Sequence, residues 1–459
     1  MSRGSPVQGI ALLTSAMASF LTPFMSASLL IALPVIGAKL GASTLLLSWI
    51  PTAFLLAAAV FLVPFGRLAD LYGRRRVFAS GLALFSVSSL LCMLAPSAQI
   101  LVLLRALQGM GGAMIYATAV AIISAIIPLE RRGRAIGINV AATYLGLSLG
   151  PVLGGTLTEQ LGWRSLFALA AALGLAALLL VLWKLPADPA RAEREKFDIP
   201  GAVLFILTLT AAQVGISRLP ALRGVWYLAA AAGGALLFIG RELRAPAPLL
   251  NLRLFSANRI FAFSSLAALI TYTATFAASF LLSLYLQTVR GMSPQSAGVV
   301  MLCQPLVMVI FSPLAGRLAD KLEARLVASV GMVLVSVGLL LLAFLDYRTP
   351  VLFIVISLAF RGLGFAFFSP PNTHAIMSAV QQESYGIAAA VVGTMRLSGQ
   401  MFSMGIAMLV LSLHLRGAPL AVESAGRFLT GSRASFLIFA ALCAAGIIAS
   451  ATRGRLRPG

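Results

Sequence analysis

Apolar residues in this chain run in long blocks, and the charged residues gather in the gaps between them. A helix needs about 20 consecutive apolar residues to cross a bilayer. Blocks of that size fall at roughly 9–36, 45–65, 77–95, 99–127, 134–158, 163–185, 198–216, 225–240, 258–287, 294–315, 326–345, 350–371, 386–415 and 434–452. An even number of crossings puts both termini on one side. The pattern predicts an all-α polytopic membrane protein.

A repeat divides these blocks. Gly66-Arg67-Leu68-Ala69-Asp70 ends the second block, and Gly316-Arg317-Leu318-Ala319-Asp320 ends the tenth, 250 residues on (316 − 66). Inside the fourth and twelfth blocks, Arg105 and Arg361 stand 256 residues apart (361 − 105). Two related halves account for both spacings. The expected division is 1–190 for a first six-helix bundle, 191–255 for a linker with two extra helices, and 256–459 for a second six-helix bundle.

Charge changes the picture in two ways. The chain of 459 residues is 60% hydrophobic, 10% charged and +21 in net charge. Such a cationic balance in a soluble protein would suggest nucleic acid, but here the cations sit in short loops. With the N-terminus inside, cytoplasmic loops hold roughly 22 Lys and Arg and outer loops roughly 9, the bias that orients membrane proteins. Both termini are therefore expected in the cytoplasm of a plasma-membrane protein. Cys92, Cys303 and Cys443 all lie in apolar blocks, so no disulfide framework is implied. No metal-ligand spacing, phosphate-binding loop or nucleophile–base set is present, so neither a cofactor nor an enzymatic activity is expected.

The stretch Pro64-Phe65-Gly66-Arg67-Leu68-Ala69-Asp70-Leu71-Tyr72-Gly73-Arg74-Arg75-Arg76 reads as a tight aqueous turn, and it resembles the signature loop of the major facilitator superfamily. The blocks near 198–240 and the stretches Phe197-Asp198-Ile199-Pro200-Gly201 and Arg241-Glu242-Leu243-Arg244 resemble its fourteen-helix drug:proton antiporter branch. That resemblance implies two six-helix bundles, a pair of linker helices, and export of small amphiphilic compounds by alternating access. It also implies roles for particular residues. Arg105, Gln108 and Gly109 match a fourth-helix motif whose arginine is implicated in proton coupling. Gly146, Gly150, Pro151, Gly154 and Gly155 match a fifth-helix motif that marks exporters. There a hinge against the other half is expected, with Gly150 too tightly packed to accept a side chain. Gly66, Asp70, Gly73, Arg74, Arg75, Gly316 and Asp320 are the expected gating residues, with Asp70 in a charged contact holding the halves together.

One position departs from that branch. Where its first helix carries an acid, this chain has Met25, within Phe24-Met25-Ser26. All thirteen acids fall in loops or at expected helix ends. Residues that could line a central cavity are Phe24, Met25, Tyr116, Asn139, Tyr144 and Tyr272, joined by Arg105 and Arg361. Arg396 is the third arginine inside an apolar block. Two other readings stand beside the multidrug exporter. The first is a transporter of an anionic, zwitterionic or lipid-like substrate held by Arg105 and Arg361. The second is a transport-inactive sensor or scramblase-like protein. The expected partners are a small-molecule substrate and the lipid bilayer, without nucleic acid, and the expected state is a monomer.

A proton antiporter needs a group whose proton affinity differs between the two faces, and an intramembrane carboxylate is the usual device. Arginine does not deprotonate at working pH. In proteoliposomes with the membrane potential clamped at zero, an imposed pH gradient should therefore drive no substrate accumulation. Uphill accumulation that follows the pH gradient would refute this.

Overall fold

The computed structural model describes residues 6–186, 197–245, 248–250, 252–381, 385–415 and 424–454. Fourteen of its helices are long and apolar enough to cross a membrane. The first six are α1 (Pro6–Leu40), α2 (Thr44–Tyr72), α3 (Arg74–Met93), α4 (Ala98–Ile126), α5 (Leu129–Gln160) and α6 (Arg164–Lys184). A hairpin of α7 (Ile199–Arg218) and α8 (Leu222–Glu242) follows. The second set begins with α9 (Arg259–Leu284), which continues through a π turn at Tyr285–Val289, and α10, in two pieces (Pro294–Met301 and Cys303–Lys321). It ends with α11 (Ala324–Leu342), α12 (Val351–Ser378), α13 (Tyr385–Leu415) and α14 (Ala425–Thr452).

Several helices run further than their apolar blocks. The expected turn at 64–76 is almost entirely helical, because α2 continues to Tyr72 and α3 begins at Arg74. Gly73 alone makes the corner, at φ 105°, where a side chain would be strained. Its N–H still bonds the Ala69 carbonyl. At 1.5 Å per residue α2 is about 43 Å long, so its charged last turns lie beyond a hydrocarbon core of about 30 Å. Arg427 and Arg433, counted above with an outer loop, ride on α14. Arg453, counted with the cytoplasmic tail, is fully buried and donates to Ser264 Oγ and Asn372 Oδ1.

The halves repeat one packing scheme. In the first, α1 packs on α5 and α6, α2 on α4, and α3 on α4 and α6. In the second, α9 packs on α13 and α14, α10 on α12, and α11 on α12 and α14. Small residues set the same close crossings in each. A Cβ on Gly81 of α3 would come within 3.1 Å of the Gly111 carbonyl on α4. Its counterpart on Gly331 of α11 would come within 2.6 Å of the Gly364 carbonyl on α12. Likewise Gly109 of α4 lies on the Phe54 backbone of α2, and Gly362 of α12 on the Gln304 backbone of α10. Between apolar helices in lipid, dispersion at such crossings replaces the hydrophobic effect as the cohesive force.

Two seams join the halves, α2 with α13 and α5 with α10, and the linker hairpin lies along the first, with α7 against both α13 and α2. The linker is closed by its own acids. Asp198 Oδ1 caps α7 at the Gly201 N–H (3.0 Å) and accepts from Arg241 Nε at 3.0 Å and Nη2 at 2.6 Å. Glu242 accepts from the Leu250 N–H at 2.8 Å, tying down the chain that leads to α9. The two linker stretches noted in the sequence are thus one paired motif.

Asp198→Ala removes both the cap and the ion pair, whereas Arg241→Ala removes only the pair and leaves the cap. Loss of a cap costs about 1 kcal/mol, and a partly exposed pair costs less. Thermal melting of the purified protein should therefore fall further for Asp198→Ala. A larger drop for Arg241→Ala would overturn this account.

Candidate functional site

The corner at Gly73 marks one end of the molecule, here termed the basic end; the opposite end is the far end. Asp70 accepts from Arg74 Nε at 3.1 Å and Nη2 at 2.9 Å, one turn along the chain. Arg74 also donates to the Ala121 carbonyl on α4, and Arg75 to the Val181 and Leu182 carbonyls on α6. This differs from the expected contact between halves: the signature ties α2, α3, α4 and α6 together inside the first half. The reason is reach, since both guanidinium groups find helix carbonyls of their own bundle. Gly66 faces Ala117 of α4, again within the same half. The side chain of Asp320 lies outside the described residues.

The glycines of α5 divide between two neighbours. Gly146, Gly150 and Gly154 face α1, where a Cβ on Gly150 would come 2.6 Å from Ala27 Cβ and one on Gly154 2.6 Å from Ser28 Cα. Ser28 Oγ donates to the Gly150 carbonyl at 2.9 Å. The expected hinge against the other half is therefore not on this stripe, which holds α1 and α5 together. Side chains at these positions would disrupt the first half rather than wedge a gate. The contact across the seam uses the adjoining face. Gly155 abuts the Pro294 carbonyl of α10, and Gly298 of α10 abuts the Pro151 carbonyl.

The far end is also closed by hydrogen bonds to backbone, between α1 and α9 as well as along the α5–α10 seam. Pro34 has no N–H, so the carbonyl four residues earlier, Leu30, loses its helical donor. Ser283 Oγ on α9 donates to it at 2.7 Å, and Gln287 Nε2 donates to the Ile31 carbonyl at 2.9 Å. Glu159 Oε2 accepts from the Gln295 N–H at 3.0 Å. At the basic end of the same two helices the spacing is different. A Cβ added to Gly133 or Gly137 of α5, or to Gly316 of α10, would meet nothing within 4 Å. Along this seam the halves meet at the far end and part toward the basic end.

Arg105 and Arg361, expected to face one cavity, are each enclosed within their own half at 1% exposure. Arg105 bonds Gln108 Oε1 and the Ile50 carbonyl and stacks 4.4 Å from the Phe54 ring centroid. Gln108 in turn donates to Ser89 Oγ at 2.6 Å. Arg361 Nη2 donates to the Thr275 carbonyl at 2.9 Å, while its Nε and Nη1 have no partner among the described residues. Burying a guanidinium takes fixed acceptors, and each bundle supplies them from its own helices. Phe24 and Met25 are also fully buried, in the core rather than on a cavity wall. Asn139 is buried too, with its side-chain oxygen unpartnered.

The tyrosines do come together, around an arginine to which the sequence pattern assigns no role. Arg396 of α13 places its guanidinium carbon 5.1 Å from the Tyr116 ring centroid on α4, reaching across the halves. Tyr144 of α5 meets Ser312 of α10 and Ser369 of α12, within electrostatic range of Tyr272 and Arg396. Tyr272 of α9 packs edge-on to Phe365, centroids 5.4 Å apart. Arg396 is half-buried and makes no hydrogen bond or ion pair among the described residues. The six acids whose side chains are described, Asp70, Glu159, Asp198, Glu242, Glu323 and Asp346, all lie at helix ends or in a loop. Among the described residues no group of three or more His, Cys, Asp or Glu could hold a metal.

Two pseudo-symmetric bundles, a seam closed at one end only and a polar cluster between them define a multi-pass membrane transporter of small solutes. The chain belongs to the Major Facilitator Superfamily, whose profile matches residues 15–404 and 264–458. It is similar to YebQ of Escherichia coli K12, an uncharacterized transporter, at 32% identity over 93% of this chain and 92% of that one. The riboflavin transporter RibZ of Clostridioides difficile 630 is 31% identical over 82% of each chain. The multidrug resistance protein Stp of Mycobacterium tuberculosis H37Rv is 32% identical over 80% of this chain and 69% of its own. Among solved structures, a bacterial homolog of the human lysosomal transporter Spinster, inward-facing and occupied, superposes with TM-score 0.71 at 17% identity. That superposition covers 98% of this chain and 97% of that one. With these bacterial transporters as relatives, the chain is a bacterial multi-pass inner-membrane protein.

Ser283→Ala should leave the Leu30 carbonyl without a donor, at a cost of about 1–3 kcal/mol. Pro34→Ala restores the helical N–H, so adding Ser283→Ala to Pro34→Ala should cost much less than Ser283→Ala alone. Melting of the three variants gives the coupling directly. Purely additive losses would show that the serine and the freed carbonyl are unconnected.

Proposed function

We propose that this chain exports small amphiphilic compounds across the plasma membrane by alternating access, as a monomer of the fourteen-helix efflux branch. In this reading the basic end faces the cytoplasm with both termini, and the halves that move are 1–190 and 256–459, joined by the linker at 191–255. The observation that carries it is the contrast along α5 and α10. Gly155 and Gly298 meet the opposite backbone at the far end, while Gly133, Gly137 and Gly316 face open space at the basic end. The same two helices thus carry small residues where they touch and where they are apart. A second closed state, with the basic-end glycines in contact, uses the surface already there.

Methionine- and aromatic-rich walls suit varied amphiphiles. Tyr116, Tyr272, Phe276, Phe365 and Phe402 are partly buried against the core, and in this reading they line the substrate path. Stp, named for multidrug resistance, supports the efflux reading; RibZ, named for riboflavin, supports a ring-bearing solute. With no acid among the described residues of the cavity, the driving force falls to the membrane potential, another ion or the substrate's own gradient.

The test is a pair of double-cysteine variants in a background lacking the three native cysteines. Glu159→Cys with Gln295→Cys reports far-end closure, and Gly137→Cys with Gly316→Cys reports basic-end closure. Both pairs should cross-link in native membranes, and locking either should stop transport. If only the far-end pair ever forms a disulfide, alternation along this seam is wrong.

A further inference from the structure

Among the described arginines inside the apolar blocks, Arg396 is the one without a hydrogen-bond partner. Arg105, Arg361 and Arg453 are each at 1% exposure, held by carbonyls, amides or hydroxyls of their own half. Arg396 has none of these, only the face of Tyr116 on the opposite half. It lies on the face of α13 that meets the first half, since Gly393, one turn earlier, abuts Leu62 of α2. Its depth is about 16 Å from the start of α13, and Tyr116 is about 15 Å from the matching end of α4, at 1.5 Å per residue. An arginine at that depth is costly unless it is paired or wetted. No acid in the described structure is placed to pair with it. Water or an anion entering between the halves is what can meet that charge.

We infer that the cavity binds organic anions with an aromatic body, the anionic group on Arg396 and the ring against the tyrosines. The inference rests on the transport reading above and names the substrate class for that same site. A planar guanidinium offers a carboxylate, sulfonate or phosphate a two-pronged contact that lysine cannot copy. The Tyr144 hydroxyl, on the half opposite Arg396, supplies a neutral donor. Two consequences follow. First, a lipophilic cation meets a like charge and no acid, so cationic drugs are poor substrates. Second, an interior-negative potential by itself drives a monovalent anion outward, about 50-fold for each ~100 mV. Export then needs no titrating carboxylate, which fits Met25 in the first helix.

The experiment uses the full-length protein in proteoliposomes and two dyes with one xanthene ring system and opposite charge, carboxyfluorescein and tetramethylrhodamine ethyl ester. Carboxyfluorescein should bind saturably and move in response to a valinomycin-set potassium potential, and the cationic ester should not compete. Arg396→Ala should weaken carboxyfluorescein binding at least ~10-fold, because the charge-assisted pair is lost, and Arg396→Lys should recover only part of it. Thermal melting and the far-end cysteine pair establish that each variant is folded. Normal anion binding in folded Arg396→Ala overturns the inference. So does a wild-type protein that moves the cation and refuses the anion, and that outcome leaves the exporter reading intact. Failure of both dyes to bind, with both cysteine pairs still cross-linking, also overturns it. Absence of basic-end cross-linking instead counts against alternating access itself.

Discussion

In a bilayer core every backbone N–H and C=O must be satisfied within the protein, because no water is there to do it. That constraint shapes the closed seam. Pro34 deprives the Leu30 carbonyl of its helical donor, and the donor that replaces it belongs to the other half, Ser283. Gln287, one turn further along the same helix, donates to the next carbonyl, Ile31. A proline inside α1 is thus part of a contact between bundles. The exchange is mild enough to be reversible. If the far end opens it fills with water, and a water–carbonyl bond replaces the serine–carbonyl bond at a net cost of only about 0.5–1.5 kcal/mol. Glycine at 155 and 298 matters for the same reason: backbone approaches backbone, and nothing bulkier fits.

The arginines obey the same rule with larger stakes. A guanidinium has five N–H donors, and each needs an acceptor or water. Arg105 is held by Gln108, a carbonyl and a ring face, so its charge is spent inside the first bundle. Arg361 is buried at the repeat-related position and also has two acceptors, the Thr275 carbonyl and Ser279 Oγ, but both take Nη2, and Nε and Nη1 find none among the described residues. Arg396 differs from both in direction rather than in residue type. Direction is a property of helix rotation, and it decides whether a charge is part of the scaffold or part of the cavity.

Much of this was legible in the sequence, for identifiable reasons. Apolar blocks are set by bilayer thickness, so fourteen spans could be read directly, and the repeated Gly-Arg-Leu-Ala-Asp exposed the two halves. Helix ends were harder: α2 runs on to Tyr72 because a long helix carries its charges out of the hydrocarbon without needing a loop. Faces were harder still. Gly146, Gly150 and Gly154 share a face by spacing, but spacing does not say whether α1 or α10 lies against it. Phe24 and Met25 were misplaced for the same reason. Arg396 left one usable trace. The repeat offsets of 250 and 256 carry it back to positions 146 and 140 of α5, the turn that bears Tyr144, where the first half has no arginine. A charge without a mate in the other half breaks the pseudo-symmetry, and broken symmetry is where two scaffold-related bundles become chemically distinct.

The linker breaks that symmetry a second time. The α2–α13 and α5–α10 seams are equivalent under the repeat, yet α7 lies only on the first. There Val63 of α2, with Ala388 and Val391 of α13, joins Ala202 and Phe205 of α7 in one apolar cluster. The Asp198–Arg241 pair and the Glu242–Leu250 bond keep the hairpin and the chain after it in place. One seam is therefore three helices thick and the other two. The linker thus breaks the equivalence of the two seams in packing as well as in sequence: a linker helix covers α2 and α13, and none covers α5 and α10 among the described contacts.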